Sequence, residues 1–170
     1  MASNSCYKIP VGLLRILPTL LAAWLCLPFL FAQPQSSGYL SVGEPQKAAG
    51  KRNAALQVKI PVTVKEGYHV NSNQPSEEYL IPLKLTWTQL GALEGGTVTY
   101  PKAAQEKYEF SETPLSVYTG SFELVADFKV APNAPAGPGA ATGKLRYQAC
   151  SNRACYPPKT VDITVSYQVQ

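Results

Sequence analysis

Histidine and methionine occur once each in these 170 residues, charged residues make up only 15%, and just two cysteines lie beyond residue 32. One imidazole and one thioether exclude most metal cages. Cys150, Cys155 and His69 together fall short of the four ligands of a structural zinc site, so no metal is expected. Lys plus Arg exceed Asp plus Glu by four, and by two once Lys8 and Arg15 of the leading segment are set aside. So small a surplus leaves no electrostatic footprint for nucleic acid. Helical periodicity is missing after residue 32, as are a Ser-His-Asp order, a phosphate-cradling glycine loop and paired carboxylates. Hydrolase chemistry therefore has no positive support, and no cofactor is implied.

What is plentiful is proline, at 15 residues, glycine, at 12, and apolar side chains, at 45%. Residues 1–32 carry Lys8 and Arg15 ahead of an apolar run from Leu17 to Ala32, which reads as a secretory signal peptide cut near Gln33. Leu30 is larger than the usual small residue two before the cut. An uncleaved anchor is the rival reading, since the run is close to the ~17 residues that span a bilayer. A lipoprotein cysteine at Cys26 is disfavoured by Leu25 before it and Pro28 after it. Export follows from either leading reading. The remaining 138 residues can bury one core without many disulfides.

Residues 33–54 are polar and rich in turn formers, and read as a flexible lead-in to which Tyr39, Leu40 and Val42 add at most a short edge strand. From residue 55 to 170 the pattern is that of a single domain. Leu56, Val58, Ile60, Val62 and Val64 alternate with polar residues or proline, the period of a strand with one buried face. Pro61 cannot donate to a ladder, so an edge or a bulge is expected there. The alternation returns at Leu83, Leu85 and Trp87, at Phe122 to Val130, and at Val161 to Val169. Turns are expected at Glu66-Gly67, Asn71 to Pro75 and Gly95-Gly96, and a solvated low-complexity loop from Pro132 to Gly143. Short strands between such turns predict an all-β, immunoglobulin-like antiparallel β-sandwich.

Cys6 and Cys26 fall in the leading segment, which leaves Cys150 and Cys155 at the mouth of a tight hairpin whose turn is Ser151-Asn152-Arg153-Ala154. Facing positions there bring two sulfurs within bonding reach, and export permits the bond. The residues leave two readings open. One is a staple, worth only ~2 kcal/mol for so short a loop. The other is a reversible dithiol/disulfide couple, poised by accessibility and by Arg153.

Gly67-Tyr68-His69-Val70-Asn71, Tyr79-Leu80-Ile81-Pro82-Leu83, Tyr100-Pro101, Val117-Tyr118-Thr119-Gly120, Tyr147-Gln148-Ala149-Cys150 and Cys155-Tyr156-Pro157-Pro158 follow one another in an order that resembles the N-terminal periplasmic domain of the thiol:disulfide interchange protein DsbD, over roughly residues 55–169. The resemblance implies a periplasmic, immunoglobulin-like electron relay. Its cysteine pair would be reduced by a thioredoxin-like partner fed by a membrane thiol reductase, and would reduce periplasmic oxidoreductases in turn. By that analogy Cys155 forms the mixed disulfides and Cys150 resolves them. An aromatic residue after acidic ones caps the pair in that family, which places the cap at Glu109-Phe110, with Tyr108 as the alternative. Three features depart from the pattern. Four residues separate the cysteines, one fewer than in the best-known member. Tyrosines neighbouring the pair there fall at His69 and Asn71 here. The membrane and thioredoxin-like portions are not in this sequence, so a separate polypeptide is expected as reductant, and contact with the membrane only through partners or an uncleaved leader. A monomer is expected.

Among the other residues, a lone His69 is by default structural, and the reason to weigh a proton-transfer role is that imidazole titrates near neutrality. Trp87 reads as core. Tyr147 and Tyr156 flank the cysteines, and Tyr156 leans towards docking because Pro157-Pro158 keeps the following chain extended. The competing function is a non-enzymatic exported binding module whose disulfide is inert.

Overall fold

The computed structural model describes residues 35, 36 and 38–170, so the readings of residues 1–32, with Cys6 and Cys26, lie outside the described residues. Thirteen strands form among the described residues: β1 Gln35–Ser36, β2 Leu40–Val42, β3 Ala48–Gly50, β4 Ala55–Val64, β5 His69–Asn71, β6 Lys84–Gln89, β7 Leu93–Thr99, β8 Ala104–Glu106, β9 Leu115–Tyr118, β10 Ser121–Val130, β11 Gly137–Tyr147, β12 Ala149–Cys150 and β13 Lys159–Val169. They make three sheets, ordered β1-β2-β4-β10-β7, β3-β13-β11-β6 and β12-β5-β9-β8. The first two face each other across one apolar core, and the all-β, immunoglobulin-like architecture expected from the sequence is the one observed. The third sheet carries the cysteines.

The period-two pattern sets which faces meet. Leu56, Val58, Ile60, Val62 and Val64 of β4 are buried, as are Val161, Ile163, Val165, Tyr167 and Val169 of β13, while the residues between them are half-buried or exposed. Burial of each such side chain is worth roughly 1.5–3 kcal/mol. A one-residue slip would turn the whole set outwards, so register is strongly specified. Antiparallel pairing accordingly runs unbroken from Gly137↔Val169 to Tyr147↔Lys159. The two ion pairs, Lys59–Glu123 and Lys144–Asp162, are exposed and add little.

Several expectations are corrected. The stretch from Pro132 to Gly143 is not a loop throughout, because β11 begins at Gly137 and is paired from there on. Its small residues make room for rings: a Cβ on Gly139 would overlap the Tyr167 ring, and one on Gly143 would lie 2.9 Å from Trp87 Cε3. Gly95-Gly96 is not a turn but the middle of β7, where the ladder with β10 shifts register between Asp127 and Phe128. Both glycines have positive φ there, the mark of a bulge. Trp87 crosses above Gly96, donates its indole N–H to the Gly96 carbonyl at 2.8 Å and meets Phe128 edge-on at 5.0 Å. Half-buried against the core, it fits its packing role.

Residues 40–50, read as part of a flexible lead-in, supply two strands. Leu40 and Val42 are buried where β2 pairs with β4, and β3 adds in parallel to the end of β13. The short strand expected at Tyr39, Leu40 and Val42 is β2, whereas β3, three small residues in a polar stretch, carried no strand signal. Pro61 lies one residue beyond the β2–β4 ladder and takes the Gly43 N–H on its carbonyl at 2.9 Å. The expected edge is therefore the end of β2's pairing.

Gly139→Val should lower stability by about 1–3 kcal/mol. The Tyr167 ring must move, and its hydroxyl then loses the Ala92 N–H that it accepts at 2.7 Å. The urea midpoint checks this; an unchanged midpoint would mean that the ring shifts freely.

Candidate functional site

The site begins where β11 ends. Tyr147 is sunk in the sandwich core, and two residues later the chain has joined the third sheet, with Ala149 opposite Val70 and Cys150 opposite His69. Gln148 spans the step. Its side-chain carbonyl accepts the Ile81 N–H and the Asn71 Nδ2–H, both at 3.1 Å, and its amide reaches the Tyr156 carbonyl at 3.3 Å. Asn71 Nδ2 also donates to the Ile81 carbonyl. One glutamine thus fixes β12, β5, the segment before β6 and the far side of the cysteine hairpin.

The hairpin closes as the spacing suggested. Ser151 N–H donates to the Ala154 carbonyl and Tyr156 N–H to the Ala149 carbonyl, both at 2.8 Å. Cys150 and Cys155 face each other in an antiparallel bridge with Cα atoms 3.9 Å apart, joined by a disulfide. The two sulfur-bearing residues are unequal. Cys150 is fully buried, whereas Cys155 is half-buried beside an exposed tip of Asn152, Arg153 and Ala154.

Two aromatic groups flank the cystine. On one side Tyr108 stacks on His69 with centroids 3.9 Å apart and planes 17° from parallel, and Phe110 lies parallel beyond, 5.7 Å from Tyr108 and 6.3 Å from His69. Tyr108 is buried with Leu80, Leu115 and Val117 in a small cluster against which Cys155 packs. Phe110 is 37% exposed, and Glu109 is exposed. Of the two positions named for a cap, Tyr108 is therefore the inner layer and Phe110 the outer. On the other side Tyr156 stacks on Tyr39 at 4.9 Å, and Tyr68 completes a trio at 4.8 and 5.9 Å, with the Lys159 ammonium 4.7 Å above the Tyr39 ring.

His69 is only 1% exposed and its Nε2 has no hydrogen-bond partner. An orphaned buried nitrogen costs about 1–3 kcal/mol. Burial pulls its pKa from 6.5 down to about 4, against the opposing pull of the Glu106 carboxylate, so the ring is neutral at ordinary pH. Tyr108 donates its hydroxyl to Glu106 Oε2 at 2.5 Å. Burial, then that bond and the Glu106 charge, raise the phenol well above its ordinary range.

The sequence reading named His69, Tyr108, Phe110, Tyr156 and both cysteines, and these do converge around the disulfide; Glu109 does not join them. It missed the tie made by Gln148, the Glu106 partner of Tyr108, and the stacking of Tyr39 and Tyr68 on Tyr156. Glu106-Lys107-Tyr108 offered a local signal for the second. Nothing local links residue 39 to residue 156.

A family model described as thiol:disulfide interchange protein DsbD, N-terminal, matches residues 40–166. The chain belongs to that family. The match starts at Leu40, the first residue of β2. The chain is similar in fold to the N-terminal periplasmic domain of ScsB from Proteus mirabilis, at TM-score 0.53 and 15% identity, over 75% of this chain and 45% of that one. It thus spans less than half of that structure's length. It is also similar to the reduced N-terminal domain of Neisseria meningitidis DsbD, at TM-score 0.42 and 22% identity, over 65% of this chain and 77% of that one. No curated protein sequence matches the chain. The family and the Cys150–Cys155 disulfide together support a thiol–disulfide exchange domain.

The neutral imidazole makes stability depend on pH. Between pH 6.5 and about 4 the unfolded chain binds the His69 proton and the folded chain does not. Its contribution is complete above pH 6.5 and declines as the pH falls through that window, by roughly 3 kcal/mol at most. Urea unfolding at neutral and at mildly acidic pH should show a smaller acid loss for His69→Phe than for the parent. Equal losses would mean that His69 titrates normally in the folded state.

Proposed function

We propose that this chain relays reducing equivalents in the periplasm by thiol–disulfide exchange at Cys150–Cys155, between a thioredoxin-like donor fed by a membrane thiol reductase and periplasmic oxidoreductases. The observation that carries the reading is the unequal burial of the two cysteines, Cys150 fully buried and Cys155 half-buried. Exchange needs an approach in line with the S–S bond by an accessible thiolate.

A donor thiolate attacks Cys155 Sγ, the Cys150–Cys155 bond breaks, and Cys150 leaves as a thiolate that takes up a proton. The donor's second thiolate then attacks the mixed disulfide. The donor leaves oxidised, and the domain holds two thiols and two electrons more. In the second half Cys155 attacks an acceptor disulfide, and Cys150 resolves the product. Tyr108 and Phe110 act as the cap, shielding Cys155 from non-partners and yielding to a docked one. Tyr156, held by Tyr39 and Tyr68, offers the opposite rim. The leading residues 1–32 direct export.

The scaffold tolerates this cycle because the disulfide closes a loop of about six residues and contributes only ~2 kcal/mol. Changing both cysteines to Ser should leave a cooperative thermal transition and an unchanged β-type circular dichroism spectrum at room temperature. Loss of the folded baseline would favour the inert structural staple.

Cys150→Ser should trap a mixed disulfide through Cys155 with a thioredoxin-like protein lacking its own resolving cysteine, and Cys155→Ser should trap little. Equal trapping, or trapping by Cys155→Ser alone, would reverse the roles. The reduction potential separates relay from staple: a relay lies above about −300 mV and an inert disulfide below it.

A further inference from the structure

We propose that His69 is the proton acceptor for Cys150: its Nε2 takes the thiol proton as Cys150 attacks the mixed disulfide on Cys155. The inference rests on the exchange reading above and names a group that reading does not use.

The argument begins with register. His69 and Cys150 are direct cross-strand partners in the β5–β12 ladder. Side chains at such positions leave the sheet on the same face, with Cβ atoms about 4.5–5.5 Å apart. Both residues are buried, and Nε2 is unpartnered while Cys150 is tied up in the disulfide. Reduction places a buried thiol beside it. Asn71 Oδ1 is also without a partner, but the same register puts Asn71 across from Gln148 rather than from Cys150.

Chemistry supplies the need. A thiol buried in apolar surroundings ionises reluctantly, and only the thiolate is nucleophilic. Cys150 is fully buried, out of direct reach of water that could take its proton, so the resolving step calls for a base within reach. During that step the Cys150 S–H bond breaks and its proton passes to Nε2. The Cys150–Cys155 bond forms, the bond from Cys155 to the acceptor breaks, and the acceptor leaves as a thiolate carrying the electron pair. The imidazolium then returns its proton to water. A groove of about 380 Å³, lined by His69, Glu106, Tyr108, Tyr68 and Asn152, opens this face to solvent.

The groups around the ring agree with this role. Glu106 offers the nearby negative charge that favours the transient imidazolium, and burial keeps the resting ring neutral. Tyr108 stacks on it with its hydroxyl committed to Glu106. Tyr118 on the adjacent β9, also a titratable phenol, commits its hydroxyl to Asn73 at 2.7 Å. Lys65 and Glu66, of opposite charge, lie at the groove's outer edge, and Tyr68 lies beside them.

The reduced protein is mixed with the chromogenic disulfide dithionitrobenzoate in a stopped-flow instrument. The first coloured thiolate reports attack by Cys155, and the second reports attack by Cys150 on the resulting mixed disulfide. The second phase should be nearly independent of pH between about 5 and 8 in the parent, since the base is neutral throughout. In His69→Phe, which keeps a flat ring for Tyr108, it should slow by about tenfold or more near pH 6.5 and rise with pH, as the thiol must then ionise without a neighbouring base. The first phase should be alike in both. Release of fewer than two thiolates per parent molecule would overturn the exchange reading and this proposal together, whereas a second release with the same rate and pH profile in parent and variant would overturn the role of His69 alone.

A second measurement does not depend on the variant folding. His69 is the chain's sole histidine, so its imidazole nitrogen signals in untagged, labelled protein are unambiguous. Reduction should shift the Nε2 signal as the Cys150 thiol becomes its partner, and Cys155→Ala, which leaves Cys150 a free thiol, should show the shifted signal without reductant. An Nε2 signal unchanged on reduction would also refute the assignment.

Discussion

The short step from Tyr147 to Cys150 is the constraint on which the rest of the site depends. Tyr147 is locked by eleven residues of β11 in register with β13, and cannot move without disturbing the sandwich core. Cys150, three residues on, lies in another sheet. A backbone leaving one ladder for another exposes donors and acceptors that must be paired when buried. Gln148 meets that need by binding Ile81, Asn71 and the Tyr156 carbonyl. The position of the cystine is therefore inherited from the stiffest part of the fold rather than from the small sheet that carries it.

This arrangement separates the scaffold from the chemistry. The five buried side chains of β13 alone outweigh the ~2 kcal/mol that a loop this short can contribute. Making and breaking the disulfide can then proceed on a fold that does not depend on it. The polar buried groups gather at the third sheet instead. Ser72 and Ser116 share a hydrogen bond at 2.9 Å, and His69 Nε2 and Asn71 Oδ1 are left without one. Unpaired buried polar atoms are a local cost that a purely structural sheet edge gives no reason to bear.

Much of the sandwich was legible because its long strands obey one rule. Each of β4, β10 and β13 places an apolar side chain at every second position over ten or eleven residues. The parts that were not legible break that rule for reasons that lie elsewhere in the chain. Gly139 and Gly143 look like loop residues until Tyr167 and Trp87 are laid across them. Gly95-Gly96 looks like a turn until the bulge opposite Asp127 and Phe128 is seen. Ala48 to Gly50 form too short and too small a pattern to show as a strand until the end of β13 is laid beside them. In the site, the hairpin spacing and flanking tyrosines were local and readable, while the His69–Cys150 pairing joins residues 81 positions apart and is a property of the sheet.

The two aromatic flanks differ in a way that bears on how a partner reaches Cys155. The Tyr39–Tyr68–Tyr156 group is tied to the scaffold through β2 and by the covalent neighbourhood of Cys155, and the Lys159 charge above Tyr39 adds a cation–π contact. The Tyr108–Phe110 side grades outwards. Tyr108 is buried with Leu80, Leu115 and Val117 and bonds Glu106 through its hydroxyl. Phe110, between β8 and β9, is more than a third exposed and leans on Tyr108 by ring stacking. Segments held by few buried contacts are the ones that open at least cost. In the proposed exchange, a partner approaching Cys155 therefore displaces the exposed Phe110 before the buried Tyr108. Because Tyr108 is stacked on the imidazole paired with Cys150, that inner ring links the approach to Cys155 with the surroundings of Cys150.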